Sequence, residues 1–329
     1  MEENAIQIRD ARRSFSVIGF AFTILILVAT VAQLAFVLVP QWLGWKELTE
    51  QPWWIWVCVS APMYLFAFPA CCLILHMLPA DRPEQNKLIG KQFLTLIPIC
   101  FCLMYSGNLI GTLLSGLLSG GNAVNSLDSY AMDSNPLKIL VMVILAPVLE
   151  ELICRKLLID RTVRYGEKIS VLMSGLIFGL LHQNLFQFFY AFALGLVFSY
   201  IYLRTGRLRY TVLLHGIINF MGSVIAPWIL SIADLEALNT LDLDAPAEIL
   251  LPALGQILPG LLVYLLYATL LWGLSVAGLV LLILKRKQIV WQESPEQLPK
   301  GTAVKTVYFN VGMVVYVLLC LASIVLTLV

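Results

Sequence analysis

The sequence predicts an all-α fold: a polytopic transmembrane helical bundle of eight or nine spans, forming one membrane domain over residues 1–329. Three observations predict it. The chain is 60% hydrophobic. It is only 12% charged, about half the fraction of a soluble domain. Its apolar residues fall in blocks near the ~20 residues that carry a helix across ~30 Å of hydrocarbon. Lipid is the natural solvent for such a chain.

The blocks follow one another in order. Phe15–Val39 exceeds a signal-peptide core and is followed by no small-residue cleavage site, so it reads as an anchor. Trp53–Met77 opens with Trp53, Trp54 and Trp56, which with Trp42 and Trp45 read as an aromatic belt at the outer interface. It ends at His76, read as a satisfied interfacial residue. Phe93–Leu118 and Leu137–Leu158 come next. Ile169–Leu181 and Phe186–Leu203 are short and separated only by His182, Gln183 and Asn184, the pattern of a helical hairpin that does not span fully. Tyr210–Leu230 is the seventh span. Leu250–Leu284 is long and is expected to break at Pro259–Gly260, its first part lying at the interface. Val304–Leu328 closes the set.

With a cytoplasmic N-terminus, 19 of the 21 Lys and Arg residues fall on the inner side, and only Lys46 and Lys138 fall outside. Missing or inventing one span would invert every later loop, so this asymmetry fixes nine crossings and places the C-terminus outside. The outer loop with Asp234, Glu236, Asp242, Asp244 and Glu248 reads as a solvated acidic connection. A net charge of +1 gives no footprint for nucleic acid. The seven cysteines lie in or beside apolar blocks without C-x-x-C spacing and read as small buried hydrophobes. The longest polar connections, Ser119–Pro136, Ser231–Glu248 and Lys285–Lys300, are too short to house a catalytic domain. Any chemistry must therefore sit among the spans or at their mouths.

Ionisable groups inside a span cost at least ~2.5–3.5 kcal/mol at its centre, so each asks for a partner or a function. They occur in three clusters: Glu150-Glu151 with Arg155 in span four, Phe178 with His182 in span five, and His215 with Asn219 in span seven. Glu151 and Arg155 stand four apart, acid first, the favourable order for an ion pair on one helical face. Glu150 is rotated ~100° from Glu151 and has no basic residue three or four positions on, which leaves its carboxylate free to serve as a general base. His215 and Asn219 share a face and present two hydrogen-bonding groups to one small volume. Phe178 stands one turn before His182, where its ring can shield the imidazole from lipid. The plain alternative is that all of these groups only glue helices together.

E-E-x-x-x-R, F-x-x-x-H and H-x-x-x-N, in this order on successive membrane helices, resemble the three-motif signature of the CAAX-protease and bacteriocin-processing (CPBP) family of intramembrane proteases. The resemblance covers about residues 137–230, the expected catalytic core of the domain. It implies that Glu150 with His182 activates a water, that His215 with Asn219 binds the developing oxyanion, and that Glu151 with Arg155, aided by Phe178, holds the site together. The activity it implies is hydrolysis of a peptide bond in a membrane protein or peptide substrate, lipidated or not. No cofactor is expected. The alternative the residue types allow is a zinc ion held by Glu150, His182 and His215, although H-E-x-x-H is absent. Two other classes stay open: a non-catalytic immunity or scaffold protein of the same fold, and a proton-coupled transporter.

Depth gives a geometric constraint. Counted inward from the span ends at 1.5 Å per residue, His182 lies ~20 Å deep and His215 ~8 Å. The two meet only if helices five and seven end or tilt differently.

Overall fold

The computed structural model describes residues 2–242 and 244–329, and among them it is helical throughout, with no strand. Nine long helices follow the order of the apolar blocks: α1 (Glu2–Trp42), α2 (Trp54–Leu75), α3 (Gly90–Leu118), α4 (139–162), α5 (Glu167–Leu181), α6 (Leu185–Thr205), α7 (Leu208–Ala233), α8 (Ala247–Lys285) and α9 (Val311–Leu326). Six of these, α1, α2, α3, α6, α7 and α8, are long and apolar enough to cross a membrane. The other three fall short for separate reasons. α4 carries Glu150, Glu151, Arg155 and Lys156 in its middle. α5 has 15 residues, about 22 Å of helix against ~30 Å of hydrocarbon. α9 has 16. The protein is a multi-pass membrane protein, and the expected short hairpin is corrected in its second arm: α5 is short, but α6, with 21 residues, is long enough to cross.

Small residues set the closest approaches between helices, as they do where lipid removes the hydrophobic drive for association. A Cβ on Gly312 of α9 would collide with the Ser16 carbonyl of α1. Across α5 and α6, a Cβ on Gly195 would lie 2.9 Å from the Gly175 Cα. The main core gathers Phe15, Ile18 and Phe22 of α1, Leu158 of α4, Met173 and Ile177 of α5 and Tyr316 of α9. A second cluster joins Cys100 and Phe101 of α3 to Leu194 and Phe198 of α6 and Leu214 and Ile218 of α7. Many large apolar side chains are left exposed along the helices, Leu266, Leu270 and Trp272 of α8 among them, as a lipid-facing surface requires.

Two expectations are corrected. Pro259–Gly260 does not break the eighth span, because α8 runs unbroken through Pro252 and Pro259. A proline removes one backbone bond from a long ladder, and neighbours in the membrane absorb the loss; Gly260 here lies against the Ile232 carbonyl of α7. Trp56 does not belong to an interfacial belt. It is 2% exposed, and its indole donates to Asp133 Oδ2 at 2.7 Å. The cysteines are free and mostly buried, and His76 Nδ1 bonds the Cys72 carbonyl at 2.6 Å.

Four stretches run in π register: Pro62–Ala67 in α2, Ile139–Leu145 and Leu152–Leu157 in α4, and Met221–Ile225 in α7. Three of them stop two residues before a proline, Pro69, Pro147 or Pro227. A proline ring clashes with the carbonyl four residues back, and a widened turn relieves the clash.

The connections between α2 and α3, between α4 and α5, and between α8 and α9 meet at one end of the bundle. Arg164 Nε donates to Asp81 Oδ2 at 2.7 Å and its Nη1 lies 3.6 Å from Glu296. The Asp81 N–H donates to the Asp160 carbonyl at 2.6 Å. Arg204 pairs with Glu167 at the same end. The hydrogen bond it donates to Asp81 holds the Arg164 guanidinium above its ordinary pKa.

Candidate active site

α4 places two carboxylates side by side in different surroundings. Glu151 and Arg155 are both fully buried. Arg155 Nη2 donates to Glu151 Oε1 at 3.1 Å, and Nε lies 2.9 Å from Oε2 at an angle too oblique for a second hydrogen bond. The guanidinium is covered by the Phe178 ring at 4.4 Å and the Phe198 ring at 5.7 Å. Its Nη1 donates to Ser174 Oγ at 3.1 Å, and Ser199 of α6 reaches the same oxygen at 2.7 Å. A buried ion pair needs its other hydrogen-bonding groups satisfied, and Ser174 supplies that for Arg155 Nη1, while Nε and Glu151 Oε2 keep only their mutual ionic contact.

Glu150 is the accessible member of the pair, with its side chain 32% exposed against 0% for Glu151. His215 joins the two. Its Nδ1 lies 3.1 Å from Glu151 Oε1, where a carboxylate can only accept, so Nδ1 carries the hydrogen. Its Nε2 faces Glu150 Oε2 at 3.8 Å. The ring sits between Phe178 at 5.6 Å and Phe198 at 5.7 Å.

His182 caps the end of α5. Its Nδ1 donates to the Phe178 carbonyl at 2.8 Å, which leaves Nε2 as the lone pair of a neutral ring. The turn that holds it is tightly tied. Asn184 Nδ2 donates to the His182 carbonyl at 2.8 Å, Asn184 Oδ1 caps α6 at the Gln187 N–H, and Gln183 takes a left-handed φ of 53°. The Phe178 ring lies 5.1 Å from His182 and 5.6 Å from His215, so one aromatic side chain separates the two imidazoles. Both imidazoles pack against the Phe178 ring, so α5 and α7 are offset or tilted relative to one another, as the depth count requires.

Glu150 and His182 line one cavity of about 100 Å³, together with Tyr64 and a wall of apolar side chains from α1, α2, α4 and α5. That volume has room for more than one water. Asn219 goes elsewhere. Its Nδ2 donates to the Met142 carbonyl at 2.8 Å, and neither it nor His215 lines the cavity. His215 and Asn219 share a helical face as expected, but their polar atoms take different partners: the two glutamates for His215, the backbone of α4 for Asn219.

No three His, Cys, Asp or Glu side chains stand close enough to hold one metal ion among the described residues. The alternative set Glu150, His182 and His215 is not gathered in this way: His215 Nδ1 is drawn to Glu151, and His182 Nδ1 to the Phe178 carbonyl. The motif residues miss two contributors, Ser174 and Ser199. Ser174 was legible in principle: it stands four before Phe178 and eight before His182, on the same stripe of α5. Tyr64 gave no signal, since a tyrosine in an apolar span reads as packing.

The sequence was compared with known proteins. The family described as "Type II CAAX prenyl endopeptidase Rce1-like" matches residues 133–221, a segment that holds every motif residue above. A relative from Bacillus subtilis (strain 168), "Putative membrane peptidase YdiL", is 28% identical over 167 residues, covering 47% of this chain and 67% of the relative. No solved structure matches the chain. Over residues 133–221, the segment that holds all three motifs, this all-helical membrane protein is similar to the Rce1-like CAAX prenyl endopeptidases, and over 47% of its length to a putative membrane peptidase.

Proposed function

We propose that the protein is an intramembrane endopeptidase that hydrolyses a peptide bond of a membrane-associated protein or peptide with a water activated by Glu150 and His182. One observation carries this reading: an accessible carboxylate and an imidazole with a free Nε2 line the same cavity. Glu150 takes a proton from water while Nε2 of His182 accepts the other O–H, and the oxygen bonds to the substrate carbonyl carbon as its π electrons move to oxygen. When the tetrahedral species collapses the C–N bond breaks, and Glu150 returns its proton to the leaving amine. Glu151, Arg155, Ser174 and Phe178 keep this apparatus in place and make no contact with the reacting atoms. His215 holds Glu151 through Nδ1, and Asn219 supports the opposite helix. The steps are written without a metal.

The positive charge of three connections and the shared end at which they meet support a cytoplasmic N-terminus. Substrates then reach the cavity from the bilayer, lipidated or not.

The test is Glu150→Gln, which keeps shape and removes the proton acceptor. Peptide products in membranes carrying the wild-type chain should disappear with the variant while the chain stays folded. Products that persist would remove Glu150 as the base. Exhaustive chelation should leave the products unchanged; loss on chelation with recovery on added zinc would replace this mechanism with a metal-dependent one.

A further inference from the structure

Hydrolysis of an amide needs a hydrogen-bond donor for the oxygen that becomes negative, and no motif residue that lines the cavity has a donor left to offer there. Glu150 as a carboxylate only accepts. His182 has given its Nδ1 hydrogen to the Phe178 carbonyl and His215 has given its own to Glu151. Asn219 donates one N–H to Met142, and neither it nor His215 lines the cavity. The Arg155 guanidinium is sealed against Glu151, Ser174 and two aromatic rings.

Of the side chains lining the cavity, three are polar: Glu150, His182 and Tyr64. Only Tyr64 brings a hydrogen to give. Tyr64 comes from α2, outside all three motifs and outside the segment 133–221. Its hydroxyl makes no hydrogen bond to another side chain or to backbone among the described residues, whereas a half-buried tyrosine usually finds a partner. It also sits in the π-register stretch Pro62–Ala67, and an added residue in a turn rotates the side chains around it relative to a regular helix.

We propose that Tyr64 is a further catalytic residue, whose hydroxyl donates to the carbonyl oxygen of the scissile bond and stabilises the oxyanion formed when the Glu150-activated water attacks. This inference rests on the reading of Glu150 as the base. The Tyr64 O–H remains intact through the step; it shifts no proton and only strengthens its hydrogen bond as charge develops on the oxygen. Aromatic rings of α2 and α5 thereby close the cavity on both sides, one of them carrying the donor.

The test uses the full chain in membranes. Peptides that appear with the wild type and vanish with Glu150→Gln identify the products, and their rate of appearance is then followed for Tyr64→Phe. Removing one oxyanion donor lowers turnover by ~10²–10³-fold, and the concentration dependence of the rate should leave KM near the wild-type value, with chain level and thermal midpoint unchanged. Tyr64→Phe turning over at the wild-type rate while Glu150→Gln is inactive overturns the donor and leaves the base standing. Products that survive Glu150→Gln overturn both. A fall in chain level or midpoint equal to the fall in rate assigns Tyr64 to packing, and overturns the proposal as well.

Discussion

Asn219 Nδ2 donates to the carbonyl oxygen of Met142 at 2.8 Å, across the contact between α7 and α4. In the π register of Ile139–Leu145 each N–H reaches five residues back, as Ala146 does to Val141. The next N–H in that register would reach Met142, but residue 147 is proline and has none. A backbone oxygen left bare at membrane depth costs free energy, and the amide of Asn219 covers it. The last motif residue is thus tied to the geometry of the helix that carries Glu150 and Glu151.

Asn219→Ala should destabilise the folded chain by ~1–3 kcal/mol, the cost of leaving a buried acceptor bare. Adding Pro147→Ala restores the missing N–H and should recover part of that loss. Thermal unfolding in detergent of both single variants and the double variant measures the coupling. Additive effects would show that Pro147 is not the reason Met142 needs a partner.

The two glutamates should separate cleanly by stability. Glu151→Gln leaves the Arg155 charge buried without its carboxylate and should cost ~3–5 kcal/mol, seen as a lower thermal midpoint and a lower level of folded chain. Glu150→Gln, at a side chain 32% exposed, should leave the midpoint near wild type. Equal midpoints for the two variants would contradict the burial difference.

Gly312→Val should loosen α9 from α1, because its Cβ would meet the Ser16 backbone oxygen rather than a movable side chain. Overpacking of this kind costs typically ~1–3 kcal/mol. Gly116→Ala, with open space around the new methyl, is the control. Limited proteolysis that cuts both variants alike would argue against the contact.

Asp133 gives a pH dependence outside the bilayer core. The Asn135 N–H, at 3.0 Å from Oδ1, and the Trp56 indole hold its carboxyl below the usual carboxylate range. A depressed folded-state pKa contributes stability that is complete above the unfolded value of ~3.9 and is lost as pH falls through the lower folded value. The midpoint of the wild type should therefore drop on acidification below about pH 4, and Trp56→Phe should flatten that drop. Parallel acid limbs for the two proteins would exclude the Trp56–Asp133 bond as a contributor.

Much of the architecture is legible without coordinates because lipid imposes one periodic demand: blocks of apolar residues near the thickness of the bilayer, separated by charge. That demand locates all nine helices in order and shows α5 as short, though it underestimates α6. It does not show that α8 runs through Pro259, since a proline in a membrane helix is tolerated or not according to what packs beside it. Trp56 illustrates the same limit. Its composition suits an interface, and only the placement of Asp133 buries it.

At the site, the sequence alone determined the pairing of Glu151 with Arg155 and the freedom of Glu150, because both follow from positions on one helix, four apart and one apart. It determined that His182 and His215 carry a turn-mate each, Phe178 and Asn219. Tertiary structure decided what those groups face: His215 toward two carboxylates, Asn219 toward the oxygen that Pro147 leaves bare, Tyr64 into the cavity of Glu150 and His182. Helical spacing fixes which side chains share a face, whereas the partner on the far side depends on helix ends, π turns and contacts between residues distant in the chain, and no local pattern encodes those.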